Sequence, residues 1–314
     1  MKKITALLLS IVMAFSLVAC GSKKLPSDPA ELMKVANENM QKVKSMTAKA
    51  NMNLSMTQGK ENVDMSIDMN MDIIKKDDTM KAKVDATINM GEAGGQQTMT
   101  MYMAPEGEDF YIYVGMLGQW MKMKYDIKSV LEAQKNADKN TDVLGSSAAN
   151  FTVTDETDDN GNKVKVLSGK MSADTMKESL TKAFETAGTV EGVDDTQMQQ
   201  IKAIAESCLA DVQMTYNVDE KSGQITHMSM DLSEIAKKAI ESVSALAGDA
   251  VSGLSIDNFE ISMDCSNFDK VADFEVPQEA LDGQEMDSTG AMTNSADDAT
   301  QTDDAATETE DTEK

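Results

Sequence analysis

"NVDMSIDMNMDII", Asn62 to Ile74, alternates without a break. Val63, Met65, Ile67, Met69, Met71 and Ile73 fall on one phase, and Asp64, Ser66, Asp68, Asn70 and Asp72 on the other. A period of two belongs to a β-strand with one dry and one wet face. The pattern extends to both sides. Upstream, Met46, Ala48, Ala50, Met52, Leu54 and Met56 alternate with Thr47, Lys49, Asn51, Asn53, Ser55 and Thr57. Downstream, Met80, Ala82, Val84, Ala86, Ile88 and Met90 repeat it, and Met99, Met101 and Met103 carry it on. The connections "TQGKE" and "KKDDT" are short and polar, so the runs predict an antiparallel meander. Its strands are about twice the usual five or six residues, long enough to force strong twist and curl.

The remaining pattern adds helices and further strands. "SDPAELMKVANENMQKVK" predicts a helix with Asp28 as N-cap, Pro29 at the first position and Glu31 completing a capping box; Leu32, Ala36, Met40 and Val43 form its apolar stripe. An aromatic hairpin, "DFYIYVGMLGQWMKMKYD", contains Trp120. A short helix is expected near 127–136, strands around Phe151 and Val164, a helix holding Met176, Leu180 and Phe184, and another near 196–207. A hairpin follows, with Val212, Met214, Tyr216 and Val218 facing one way on its first strand and Met228, Met230 and Leu232 on its second. Ser233 is placed as the cap of a last helix, and Phe259, Ile261, Met263 and Cys265 point inward on a final strand. The fold class is α+β, with a long curved antiparallel sheet.

The chain's start sets the compartment. "MKKITALLLSIVMAFSLVAC" places Lys2 and Lys3 before an apolar run and a small Ala19, the layout of an export signal. It ends in "LVACG", Leu17 to Gly21, which resembles the lipobox of bacterial lipoproteins. That resemblance implies cleavage before Cys20 and acylation of its thiol and amine. At roughly 0.8 kcal/mol per buried methylene, two or three acyl chains, palmitate among them, hold a protein to a membrane. The expected organisation is signal peptide 1–20, tether 21–30, one domain 31–277 and a disordered acidic tail 278–314. The tail holds twelve acidic residues and one lysine, with too few large apolar residues to build a core. The expected location is the extracytoplasmic face of the cell membrane, lipid-anchored.

Composition removes several function classes. A net charge of −25 repels nucleic acid, and all 29 basic residues are lysine, so no guanidinium fork is available for phosphates or carboxylates. His227 is the sole histidine and falls on the wet phase opposite Met228. No serine lies in a nucleophile elbow, and no Gly-rich phosphate loop or paired-cysteine metal motif occurs. We therefore expect no enzyme, no catalytic or metal-ligating set and no cofactor. "DETDDNGNK", Asp155 to Lys163, has calcium-loop character but lacks a glutamate at the twelfth position, and a hairpin turn is the better reading. Cys208 and Cys265 stand outside the reducing cytosol. Both are placed on the apolar phase of a strand and are read either as a disulfide or as buried free thiols, since no rule fixes their separation.

With these pieces in place, the order of elements resembles the LolA and LppX group of bacterial lipoproteins, which includes many functionally uncharacterised members. The matching stretches are "ELMKVANENMQKVKSMTAKANMNLSM", the long meander, "FYIYVGMLGQWMKM", "YNVDEKSGQITHMSMDL" and the closing "FEVP", covering most of residues 31–277. The resemblance implies a half-barrel wrapped around helices, with a hydrophobic cavity for acyl chains.

Methionine is the unusual feature, at 27 residues. Thioethers are soft ligands for Cu(I), yet the same positions on neighbouring strands hold Ile, Leu, Val and Ala, which ligate nothing. Unbranched, polarizable side chains also suit an adaptable apolar surface. The leading expectation is an envelope lipoprotein that binds a lipid or other apolar ligand in the concave face of the sheet. Its candidate lining is Met52, Leu54, Met56, Met65, Ile67, Met69, Met71, Met99, Met101, Met103 and Trp120. The alternatives are a non-catalytic envelope scaffold with a closed core, and Cu(I) binding through methionines. No protein partner can be named from the sequence.

Overall fold

The computed structural model describes residues 24–76, 79–107, 109–125, 148–187, 195–247 and 253–286. The expected signal peptide with Cys20, the helix near 127–136 and the tail beyond Met286 lie outside these residues.

Helix α1 (Pro29–Lys42) opens the fold. Asp28 is extended and accepts the Glu31 N–H at 3.0 Å, satisfying a donor that a helix start otherwise leaves bare, while Pro29 occupies the first turn where its missing N–H costs nothing. The meander follows as β1 (Ser45–Gln58), β2 (Glu61–Lys76) and β3 (Thr79–Asn89), then a single helical turn α2 (Gly91–Gly94), then β4 (Gln96–Glu106), β5 (Asp109–Met116) and β6 (Gln119–Lys124). The second half has β7 (Thr152–Thr157), β8 (Lys163–Met171), α3 (Ala173–Ala187), α4 (Asp195–Ser207), β9 (Val212–Asp219), β10 (Ile225–Asp231), α5 (Ser233–Ala247) and β11 (Leu254–Ser266). A last turn of helix, α6 (Gln278–Leu281), leads into β12 (Gln284–Met286).

Among the described residues these strands form one 12-stranded sheet in the order β12-β6-β5-β4-β3-β2-β1-β11-β10-β9-β8-β7. Every pairing is antiparallel except β12 against β6. Strand β11 is the seam, since it pairs with β1 on one side and β10 on the other and so welds the meander to the second half. Bulges at Ser55/Met56 and at Ile225/His227 add local bend on each side of it. The result is an open, curved α+β half-barrel.

Helices pack on the apolar face at the second half of the sheet. Leu32, Met33 and Ala36 of α1 join Leu167, Val212, Met214, Tyr216, Val218 and Ile225 in the main core, with Met176 of α3 and Ile235 of α5 packed against it. At roughly 1.5–3 kcal/mol per buried large apolar side chain, this cluster is the main source of stability.

Three local expectations resolve differently from one another. "DETDDNGNK" is the β7–β8 hairpin turn: Asp158 Oδ2 accepts the Asn162 side-chain amide at 3.1 Å and its Oδ1 the N–H groups of Asn162 at 2.7 Å and Asn160 at 3.0 Å, which together hold its carboxyl below the ordinary range. Ser233 does not cap α5. Asp231 Oδ1 accepts the Ser233 N–H at 3.0 Å, and the Ser233 hydroxyl instead accepts the Phe259 N–H at 2.9 Å, tying the helix to β11. The acidic tail does not begin at 278. Residues Gln278–Met286 belong to the fold, because Ala280 and Leu281 pack with Tyr102, Ala104, Tyr113, Phe274 and Val276, and β12 extends the sheet at β6.

Candidate functional site

The register aligns the apolar phases of consecutive strands into rows. One row runs Met263–Ala50–Met69–Ala86–Met99–Met116 across β11, β1, β2, β3, β4 and β5. The next runs Cys265–Ala48–Met71–Val84–Met101–Val114–Met121 and reaches β6. Another joins Ile261, Met52, Ile67 and Ile88, and another Phe259, Leu54 and Met65. Met56 pairs with Val63, and Met103 lies between Ala82 and Ile112. Ten of the expected lining residues, all but Trp120, therefore share one face. Directly opposed residues on neighbouring strands stand about 4.5–5.5 Å apart, which makes each row continuous.

Large and small residues alternate along the first row. Ala50 and Ala86 are 8% and 4% exposed, yet Met69 and Met99 beside them stay half-buried, as do Met52, Leu54, Met56, Met65, Ile67, Met71, Met101 and Met103. Short methyl groups shielded between long, flexible thioethers give a surface that is apolar and able to change its relief. Met263, expected to point inward, does so by register; the sequence reading missed Ile112, Val114, Met121 and Met123, which belong to the same face. Their alternation was present, but short strands beside a turn gave it too few repeats to fix a phase.

Trp120 lies on the other face. It pairs with Gly115, which pairs with Thr100, so its ring stands on the polar side. There it meets Tyr102 at 5.9 Å between ring centroids and packs with Phe274, Val276 and Leu281. Next to it the Tyr113 hydroxyl, fully buried, donates to Glu106 Oε2 at 2.8 Å; burial and that bond push its pKa far above the phenol range. This aromatic group fastens the C-terminal segment to the sheet.

The rest of that face is polar. Asp72 accepts from Thr47 at 2.6 Å, Asp64 from Ser55 at 2.6 Å and Asp85 from Thr100 at 2.9 Å, so carboxylates of β2 and β3 are held by hydroxyls of their neighbours. A groove of about 1040 Å³ runs between the β7–β8 turn and β9–β11, lined by Asn160, Asn217, His227 and Asp264 among others. His227 is a surface residue: its Nδ1 lies 2.7 Å from Asp264 Oδ1, directly across β10–β11. Among the described residues no group of three or more His, Cys, Asp or Glu is arranged to hold a metal ion.

Cys208 and Cys265 are free thiols. Cys208 does not lie on a strand; it follows α4 and its sulfur stands 3.9 Å from the Ser242 hydroxyl of α5. Cys265 is buried in β11 beside Ala48, where desolvation pushes its thiol up to about 11.

These features define a class: an α+β domain whose open, curved antiparallel sheet presents one continuous apolar face, covered by helices at its second half, and one polar face. The chain belongs to a family of unknown function, DUF6612, whose family model matches residues 28–285. That span ends within β12, the last described strand. No curated protein matches the sequence. Among solved structures it is similar to LprF from Mycobacterium bovis, at 12% identity and a TM-score of 0.41, covering 82% of this chain and 99% of that one. It is also similar to a DUF1329 family protein from Desulfovibrio piger, at 10% identity and a TM-score of 0.22, with 79% and 96% covered. A third is a domain from Vibrio parahaemolyticus described as an outer membrane lipoprotein-sorting protein, at 9% identity and a TM-score of 0.21, with 77% and 93% covered. No helix among the described residues is long and apolar enough to cross a membrane.

Proposed function

We propose that this is a non-catalytic envelope lipoprotein, anchored by acylation of Cys20, that binds a lipid or another apolar ligand on the methionine-lined face of its sheet. The observation that carries the reading is the row structure: six strands from β11 to β5 place methionine, alanine and branched aliphatic residues in unbroken register on one side. In a chain with a net charge of −25 and a polar opposite face, such a surface desolvates an acyl chain at no electrostatic cost. Half-buried methionines allow it to fit chains of differing length and branching.

The test is native mass spectrometry and solvent extraction of the mature chain carrying Cys20→Ala, purified without detergent. A bound amphiphile in stoichiometric amount supports the reading, and a ligand-free protein that takes up no fatty acid or phospholipid from vesicles overturns it. A Cu(I) competition on the same sample separates the thioether chemistry: metal retained against a strong chelator would assign the face to copper instead.

A further inference from the structure

The two ends of the strands differ in charge, and the N-terminal tether emerges at one of them. A Cβ on Gly223, in the β9–β10 turn, would stand 3.3 Å from Leu25 Cδ2. The first described residues thus lie at the end of the sheet that carries this turn, the start of β1 and the ends of β2 and β11. From Lys24 back to Cys20 the chain spans at most about 14 Å when fully extended.

At this same end the backbone is knotted around Ser45. The Asp269 N–H donates to Ser45 O at 2.7 Å and the Val271 N–H to Ser45 Oγ at 3.2 Å, while the Lys75 N–H donates to Lys44 O at 2.7 Å and the Lys44 N–H to Asp269 Oδ1 at 2.7 Å. The knot gathers exposed Lys42, Lys44, Lys75, Lys76 and Lys270 from α1, the α1–β1 link, β2 and the segment after β11. Carboxylates share this end: Asp158, Asp219 and Asp269 accept backbone N–H bonds, Asp273 pairs with Lys81 at 3.0 Å, and Glu156 and Asp159 are exposed on the β7–β8 hairpin. The opposite end carries exposed Glu61, Asp231, Glu234, Asp257 and Glu260, with Asp231 and Glu260 directly opposed across β10–β11. The exposed lysines are therefore gathered at one end, where they offset neighbouring carboxylates, while the other end is dominated by carboxylates.

We infer that the lysine-bearing end is the membrane-facing end, set against anionic lipid headgroups, with the carboxylate-rich end turned away. The inference rests on acylation of Cys20, which brings this end to within a short tether of the bilayer. Two independent features agree on it: the place where the tether emerges, and the end at which the exposed lysines gather. An anionic surface repels a protein of this net charge, and repulsion is least when the lysines lie within a Debye length of about 8–10 Å and the acidic end lies beyond it. The apolar face then runs outward from the bilayer along the strands.

The experiment uses the acylated full-length mature protein in vesicles of phosphatidylglycerol and phosphatidylcholine, and in detergent micelles as reference. Flotation reads anchoring, and a membrane-impermeant amine reagent with peptide mass spectrometry reads orientation. Labelling of Lys44, Lys75, Lys76 and Lys270 should fall severalfold on vesicles, most on the anionic ones, while Lys60 at the opposite end labels as in detergent. Charge reversal by K75E and K76E should erase the difference between the two lipids without affecting flotation. A protein that floats but labels evenly, or with Lys60 protected, overturns the orientation alone. A protein that does not float overturns the anchoring, and the orientation with it.

Discussion

Trp120 covers Gly115 across the β5–β6 pair, its ring atoms standing 2.7–2.8 Å from where a Cβ on that glycine would lie. Glycine is required here for closeness of approach. Gly115→Ala drives a methyl into the indole, which must leave its contact with Tyr102 and loosen the hold on Phe274 and Leu281. A loss of about 1–3 kcal/mol is expected, typical of overpacking. Trp120 is the one tryptophan, so urea unfolding followed by its fluorescence should show a lowered midpoint and an altered native emission maximum. An unchanged midpoint would show that the ring can move freely.

The C-terminal boundary gives a second test. A chain ending after Met286 should melt as the full chain does, whereas one ending after Pro277 loses fully buried Ala280, the packed Leu281 and the pairing of β12 with β6. Losing these contacts is expected to cost about 2 kcal/mol, a fall of about 4–8 °C in a domain of this size. Calorimetry of the two truncations decides between this boundary and one at 277.

The strict alternation of β1 to β4 was legible because a period of two sustained over a dozen residues leaves no competing helical phase, and the same holds for the apolar residues of β9 and β11. The face of Trp120 was legible in principle. It is flanked in β6 by Met121 and Met123, so methionines that face the apolar side force Trp120 to the polar one. What concealed this is that a lone tryptophan suits a cavity wall as well as the aromatic cluster it joins with Tyr102. β12 could not have been read from "QEM", which is short, polar and set in an acidic stretch; its pairing is parallel and is imposed by aromatic packing of the segment before it. Cys208 was assigned to a strand because its apolar neighbours suit either structure. Its N–H donates back to Ile204 O and Ala205 O at 3.2 Å, which sets it at the end of α4 beside Ser242 of α5.

The β5–β6 turn holds a correctable strain. Leu117 has φ 53° and Gly118 φ 78°, and Leu117 is 85% exposed, so a leucine occupies a left-handed position while burying almost nothing. Two-residue turns with both central residues in this region favour Asn-Gly. Leu117→Asn should raise the melting temperature, by about 1 kcal/mol in stability. A drop would mean that Leu117 makes a contact worth more than its backbone strain.

Ligand retention should follow the relief of the apolar face more than its sulfur content. Met69→Leu conserves volume and should cost below about 1.5 kcal/mol and leave lipid occupancy intact. Met69→Glu places a charge between Ala50 and Ala86 and should strip the ligand without unfolding the half-exposed site. Occupancy by native mass spectrometry and folding by circular dichroism check both. If Met69→Leu alone abolishes binding, the thioether itself is the ligand-contacting chemistry.

The two thiols should separate cleanly by reactivity. Thiolate is the reacting form, and a value pushed up to about 11 leaves Cys265 ionised at about one part in ten thousand near neutral pH. In the Cys20→Ala protein a thiol reagent should therefore modify Cys208 first and reach Cys265 only on unfolding, and the mass should be unchanged by reduction because no disulfide joins them. The same burial sets an alkaline limit. The folded value lies above the ordinary 9.0, so the thiol's contribution to stability is full below about 9 and is lost as pH rises through about 11. Tyr216, raised by burial to about 12, extends the loss to higher pH. Replacing Cys265 by alanine should flatten the first part of that decline in a urea midpoint measured against pH. An unaltered slope between about pH 9 and 11 would mean that the thiol is solvated in the native state.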